Sequence, residues 1–325
     1  MREFLRFFVA TIFGVGLGCR TESPARVIGV VPKGANHIFW QTVHAGAIKA
    51  AGEYGYTVEW NAPALEVDAS RQIEILDSMI NRKLAGIAVA PVDRKAMVAV
   101  VERAARAGVP VAVFDSAIDT TQRISYVATD NVEGGRIAAR RIGELLGGKG
   151  KVAVIGFMPG SGATMDREDG FQDEIRKKFP KIEIVALRYA KADRAKAMAD
   201  TENVLTAHPD LAGVFADNES SSSGAVQALK SRNARAVKMV AFDASEQLIQ
   251  DCRDGWIDSL VVQNPFKMGY ESAKALMRHI KGEPVEPAID SGVRLVKRQE
   301  IDSPELAALL FPDIQKYLQP AAAGH

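Results

Sequence analysis

Short apolar runs alternate along this chain with longer segments whose apolar residues recur every three to four positions. Val27–Val31 is an uninterrupted apolar run, the pattern of a strand buried on both faces. Phe39–Tyr54 follows, with Val43, Ala47, Ala50, Ala51 and Tyr54 on one stripe of a helix. The cycle continues with a strand at Thr57–Trp60 and a helix at Ala69–Arg82, whose Ile73, Leu76 and Ile80 face inward. It then predicts a strand at Gly86–Ala90, a helix over Lys95–Ala107, and strands at Val109–Phe114 and Ile124–Ala128. A second series repeats the rhythm. Its strands are Lys151–Gly156, Glu183–Leu187, Gly213–Ala216, Met239–Phe242 and Ser259–Val262. Its helices are Val132–Leu146, Thr164–Lys178, Ala195–Ala207, Ser221–Ser231 and Glu246–Asp251. A long helix, Lys267–Lys281, and a strand, Gly292–Val296, complete it. Each strand is bounded by Gly or Pro and each helix is long enough to cross back over a sheet. The pattern predicts an α/β chain of two doubly wound parallel-sheet lobes in tandem. Ser220–Ser223, after a strand, reads as the cap and first turn of a helix. Beyond Arg298, Ser303-Pro304-Glu305 starts a further helix with Leu306, Leu309 and Leu310 packing down, and Ala321–His325 reads as a frayed end.

The first residues break this rhythm. Met1 to Arg6 is short and basic, Phe7 to Leu17 is apolar, and small residues lead into Cys19. This is the layout of an export signal over residues 1–18, too short to remain as a membrane span. Its ending resembles a bacterial lipoprotein signal, which implies a lipid on Cys19, although Gly16 stands where such signals usually carry Leu. Residues 19–26 form a polar, proline-bearing linker. The expected location is outside the cytoplasmic membrane, periplasmic or anchored by lipid at Cys19.

Charge and composition exclude several roles. The chain has 41 basic and 40 acidic residues, and loss of residues 1–18, with Arg2, Arg6 and Glu3, leaves no net charge. No basic excess is available for a phosphate backbone, so nucleic acid is not an expected partner. Besides Cys19 the only cysteine is Cys252, read as a small packed residue. Nothing reads as an obligate interface, and a monomer is expected.

In open α/β sheets, ligands sit beyond the carboxyl ends of the strands. The residues there are Lys33 and His37, leading into Phe39-Trp40; Asp115-Ser116; Thr129-Asp130-Asn131; Asp217-Asn218-Glu219; Asp243; and Gln263-Asn264, with Arg167 in the first helical region of the second series. Carboxylates, carboxamides and a guanidinium beside aromatic rings suit a sugar, whose hydroxyls need donors and acceptors and whose C–H faces stack on rings.

These residues resemble a known family. Ala128-Thr129-Asp130-Asn131 with Gly134-Gly135, Arg167-Glu168-Asp169-Gly170-Phe171, Leu205 to Asp210, Val214 to Asn218 and Val240 to Asp243 come in the order and spacing of the type I periplasmic sugar-binding proteins of ABC importers, the ribose- and galactose-receptor group. The resemblance spans residues 27–298. It implies that Asp115, Arg167, Asn218, Asp243 and Gln263 hold sugar hydroxyls, that Phe39 and Trp40 sandwich the ring, and that Phe242 borders the pocket. Lys33, His37, Ser116 and Thr129 would occupy further pocket positions. Ribose receptors usually carry Asn at Ala90 and Arg at Ser116, while Lys33 and His37 replace smaller polar residues. A pentose, a hexose or a polyol such as inositol therefore remains open. The resemblance also implies a three-crossing hinge near Thr129–Asp130, Gln263–Asn264 and Asp290–Gly292. It would divide the chain into residues 27–129 plus 264–291, residues 130–263 plus 292–298, and an extension over 299–325. A membrane permease would read the closed, loaded form. No cofactor is implied.

Rival chemistries find less support. The loop after the first strand has one glycine, Gly34, where a dinucleotide site needs several. Gly147 to Lys151 precedes a strand and reads as a turn, and Met158 to Gly162 reads as a lid over the crevice. His37 and His44 are two helical turns apart, too far for one ion, so no metal is expected. No Gly-x-Ser-x-Gly elbow is present. Asp115 and Asp243 are the one carboxylate pair worth weighing for glycoside hydrolysis, and both are read as hydrogen-bond acceptors in a non-enzyme. Alternatives are a receptor feeding a chemotaxis or sensor protein, and a repressor-type sugar sensor, which would need a helix-turn-helix before residue 27.

Overall fold

The computed structural model describes residues 26–35 and 37–319; the export segment, Cys19 and Ala321–His325 lie outside the described residues. The first series runs β1 (Val27–Val31), α1 (Ile38–Tyr54), β2 (Thr57–Trp60), α2 (Ala69–Asn81), β3 (Gly86–Val89), α3 (Val98–Arg106), β4 (Val111–Phe114) and β5 (Ser125–Ala128). The second runs α4 (Asn131–Leu145), β6 (Lys149–Gly156), α5 (Gly162–Lys178), β7 (Lys181–Tyr189), α6 (Arg194–Ala207), β8 (Leu211–Ala216), α7 (Glu219–Ser231), β9 (Lys238–Phe242), α8 (Glu246–Arg253) and β10 (Ser259–Gln263). Then come α9 (Pro265–Ile280), β11 (Ala288–Asp290), β12 (Val293–Lys297), α10 (Ala307–Leu310) and α11 (Gln315–Leu318).

Two six-stranded sheets result, ordered β11-β5-β4-β3-β1-β2 and β12-β10-β9-β8-β6-β7. All pairings are parallel except β10 with β12. The two parallel-sheet lobes expected from sequence are present, with β12 the one antiparallel strand. β11 runs toward the cleft, and only two residues separate it from β12 in the other sheet. β12 must start at the cleft edge and run away from it, opposite to β10.

Both faces of each sheet are buried, as the near-continuous apolar strands require. Ile28 and Val30 pack under α1 and α9, while Val31, Ile87 and Val89 pack on the other face with α2 and α3. Val152, Val154 and Phe215 pack under α4 and α5, and Ala153, Ile155 and Val214 lie on the opposite face. Each fully buried Val, Leu, Ile or Phe contributes about 1.5–3 kcal/mol. Close approach of α4 and α5 depends on glycine: a Cβ on Gly135 would lie 2.0 Å from Arg167 O, and one on Gly170 would lie 2.1 Å from Val132 O.

Local chemistry sets the element ends. Asp130, Asn218 and Asn264 cap α4, α7 and α9 by accepting from the backbone N–H three residues on. Asn218, and not the serine run, opens α7, whose Ser220, Ser221 and Ser222 are buried inside it. The helix expected from Lys95 begins later, at Val98, because Asp93 Oδ1 accepts from Lys95 and Ala96 N–H at 2.8 Å and holds a turn there. Gly147 and Gly148 turn with positive φ, whereas Lys149 to Lys151 already belong to β6.

The chain passes between the sheets after β5, after β10 and between β11 and β12. A fourth link follows. Leu306 and Leu310 are buried in the second sheet's core, and the chain then returns to α1 through α11, with Tyr317 against Phe266 of α9 at 5.6 Å.

Candidate ligand-binding site

The two sheets present the same device to the space between them. β4 ends at fully buried Phe114 followed by Asp115 with φ 62°, and β9 ends at fully buried Phe242 followed by Asp243 with φ 72°. Asp115 N–H donates to Val127 O at 3.0 Å, and Asp243 N–H to Val261 O at 2.9 Å. A left-handed backbone is uncommon outside glycine, is tolerated best by Asp and Asn, and costs about 1–3 kcal/mol. Here it turns each carboxylate out of its sheet and into the cleft.

In the first lobe, Lys33 Nζ lies 2.6 Å from Ser116 Oγ and 3.0 Å from Asp115 Oδ2. Both charged side chains are buried, so removing either strands the other. Glu66, in the irregular stretch after β2, holds two neighbours: its Oε1 accepts from Trp40 Nε1 at 2.8 Å and lies 2.8 Å from His37 Nδ1. The hydrogen bond to Glu66 raises the His37 pKa above its ordinary value, against the opposing effect of burial. Phe39 and Trp40 are 4.8 Å apart with perpendicular rings. Neighbours on one helical turn project about 100° apart, so these rings form a corner and do not sandwich a sugar between them.

In the second lobe, the Arg167 guanidinium lies 3.9 Å over the Phe242 ring, and its Nε and Nη1 donate to Asn131 Oδ1 and Asp217 O, each at 2.8 Å. Asp243 accepts from Gln263 Nε2 at 2.6 Å and from Glu219 N–H at 2.9 Å. Burial raises its pKa to about 6, while Arg167 and Gln263 pull the other way. Asn218 caps α7 and also donates to Ser220 Oγ at 3.1 Å.

One cavity gathers nine of the residues expected from sequence, Lys33, His37, Phe39, Trp40, Asp115, Arg167, Asn218, Asp243 and Gln263. Three others stand behind its wall. Ser116 is fully buried under Lys33, Phe242 lies beneath Arg167, and Thr129 joins the first and third crossings through Ser291 Oγ and Gly292 O, both at 3.2 Å. The wall also includes Glu66, Phe157, Ala163, Thr164 and Glu219. Phe157 and Glu219 directly follow a strand end and its cap, so the strand-end rule reaches them; Glu66 sits in a loop with no such signal.

The lobes touch. Lys33 Nζ is 3.3 Å from Ser161 Oγ, Ala163 N–H donates to Ser116 Oγ at 3.3 Å, and Arg94 N–H donates to Gly160 O at 2.9 Å. The space between them is about 40 Å³, enough for water but far below the ~300 Å³ of a typical small-ligand pocket. Depressions of about 630 and 750 Å³ also border His37, the first of them lined by Glu219 as well, and gather fewer converging polar groups. Among the described residues, no three His, Cys, Asp or Glu side chains are disposed to hold a metal ion.

The sequence matches the model of the periplasmic binding protein domain over residues 28–284. It is 29% identical over 268 residues to the ribose import binding protein of Bacillus subtilis, spanning 82% of this chain and 86% of that protein. A carbohydrate transporter solute binding protein from Agrobacterium radiobacter, solved in complex with D-arabinose, has a TM-score of 0.85 and 33% identity over 89% of this chain and 100% of its own. An ABC transporter solute binding protein from Agrobacterium vitis with bound D-fucose has a TM-score of 0.85 and 33% identity, with 88% and 100% covered. Two α/β lobes facing each other across a polar cleft, and a family match over most of the sequence, lead to one conclusion: the chain belongs to the periplasmic binding protein family.

Proposed function

We propose that this protein is the solute receptor of an ABC importer, capturing a monosaccharide or polyol between its lobes and handing it unchanged to a membrane permease. The observation that carries the reading is the pair of left-handed aspartates, Asp115 and Asp243, projecting from equivalent strand ends of opposite lobes into one cavity with Arg167 and an aromatic corner. Relatives named for ribose, D-arabinose and D-fucose support a sugar as cargo.

Residues 27–129 with 264–291 and residues 130–263 with 292–298 would move as two bodies about the three crossings. The small volume of the cavity argues for such movement, because a sugar ring fits only if the lobes part. A ligand stabilises the closed form only by its differential affinity for it. The protein is a receptor without turnover. Lys33 neutralises Asp115, and Asp243 already accepts two hydrogen bonds, so both carboxylates serve as acceptors. Export through residues 1–18 and a lipid on Cys19 complete the proposal, and a Cys19→Ala variant should then leave the membrane fraction.

Calorimetry against D-ribose, D-arabinose, D-fucose, D-galactose and myo-inositol is the test. At least one should bind with a dissociation constant of about 1 μM or tighter. No binding across pentoses, hexoses and polyols, or consumption of the sugar by pure protein, would overturn the reading.

A further inference from the structure

Glu219 opens α7 and is 4% exposed. One carboxylate oxygen is fully engaged: Oε1 lies 2.7 Å from Arg194 Nη2 and accepts from Ser223 Oγ at 3.1 Å. The other, Oε2, is buried with no hydrogen-bond partner, and the residue forms part of the cavity wall. His37 Nδ1 lies 3.7 Å from it across the cleft. That is beyond hydrogen-bond length, and the same nitrogen is already 2.8 Å from Glu66. A buried carboxylate oxygen left without a donor is costly, and such atoms are rare in folded proteins unless something else supplies the proton. Arg194 and Ser223 hold the other oxygen and so restrict rotation of the carboxylate.

We infer that Glu219 is a specificity-determining ligand contact, its Oε2 accepting a hydrogen bond from one hydroxyl of the bound sugar, distinct from the hydroxyl held by Asp243. The two acceptors are coupled, since Glu219 N–H donates to Asp243 Oδ2 at 2.9 Å. The ligand class that satisfies both is a sugar or polyol with two free hydroxyls on the side facing the second lobe. The inference rests on the sugar-receptor reading and adds the residue that selects among sugars. A purely structural Glu219, acting as a latch toward His37, would weaken all ligands alike; a contact weakens only those that carry the hydroxyl.

The experiment takes the tightest binder of the five-sugar panel and its monodeoxy analogues, measured against the wild-type protein, Glu219→Ala and Glu219→Gln. The wild type should reject one deoxy analogue by about 50-fold, the loss expected for a hydrogen bond to a charged group. Glu219→Ala should bind the parent sugar about 50-fold more weakly and no longer distinguish it from that analogue, while the penalties at other hydroxyls stay as in the wild type. In Glu219→Gln, Arg194 and Ser223 claim the amide oxygen, so an N–H faces the cavity and the same selective penalty should shrink below about fivefold. This variant preserves shape, so the outcome stands even if the alanine protein fails to fold. Sugar binding that survives Glu219→Ala within about threefold, or discrimination unchanged at every hydroxyl in Glu219→Gln, overturns the inference alone. A wild-type protein that binds none of the panel overturns the receptor reading and the inference with it.

Discussion

Replacing Glu168 by Gln should stabilise the protein above pH 7 and leave it nearly unchanged at pH 5. Glu168 of α5 and Asp217 at the end of β8 are buried, and Glu168 Oε1 and Asp217 Oδ1 lack any other donor. A proton held between the two carboxyls satisfies both. Burial raises Glu168 from 4.5 to about 7, although its hydrogen bonds with Asp217 and Tyr189 act against this, and burial with the neighbouring Glu168 charge raises Asp217 as well. Both folded-state values lie above the unfolded ones. The shared proton therefore supports folding fully below pH 4.5, and that support is lost as pH rises through about 7. For Glu168 the rise corresponds to about 3 kcal/mol. The introduced carboxamide would offer Asp217 an N–H that never titrates, while its oxygen still accepts from Tyr189 Oη, 3.0 Å from Glu168 Oε2 in the native chain. Urea unfolding at pH 5, 6, 7 and 8 measures the difference between the two proteins, in which the common titrations of Asp243 and His37 cancel. The stability gain should grow from near zero at pH 5 to about 2–3 kcal/mol at pH 8. A difference that stays flat within about 0.5 kcal/mol across that range refutes the shared proton.

Asp243→Asn keeps a residue that tolerates φ 72° but sets an N–H against Gln263 Nε2 or Glu219 N–H. Sugar affinity should fall about 100-fold, and the donor left without an acceptor should cost about 1–3 kcal/mol in urea unfolding. Wild-type affinity should also weaken as pH drops through about 6, where Asp243 gains its proton, and calorimetry from pH 5 to 8 should show no such step in the variant. Gly135→Ala places a methyl 2.0 Å from Arg167 O. It should cost about 1–3 kcal/mol in urea unfolding, and it should weaken sugar binding because the displaced turn carries Arg167. Ending the chain after Leu310 keeps Leu306 and Leu310 in their core but removes the return to α1 and Phe266. The truncated protein should fold, show a larger radius by small-angle scattering without sugar, and bind sugar about three- to tenfold more weakly, since lobes joined by three links and not four open more readily.

The repeated dipeptide explains why part of the site could be read in advance. Phe114-Asp115 and Phe242-Asp243 each end an apolar run, so the run located the strand and the next residue fell at the cleft by topology alone. What topology does not supply is direction within a turn. Asp115 faces the cavity while Ser116, one residue later, is buried beneath Lys33. Phe39 and Trp40 both reach the wall, but at right angles, so a pairing of rings inferred from adjacency became a corner. Glu66 was out of reach for another reason. Its role depends on Trp40 Nε1 and His37 Nδ1 arriving at one oxygen from a helix 26 residues earlier in the case of Trp40, a long-range meeting that no local period encodes. The same limit applies to β11, three residues long and too short for any alternation to register. It also set the direction of β12, which followed from a two-residue connection between lobes and not from its own apolar pattern. Strand ends locate this site because parallel sheets bring their carboxyl ends together. Glu66 and Glu219 are held at its wall by partners distant in sequence, Trp40 and His37 for the first and Arg194 for the second. On the proposed site, selectivity among sugars should accordingly respond to Glu219 more than to the strand-end aspartates.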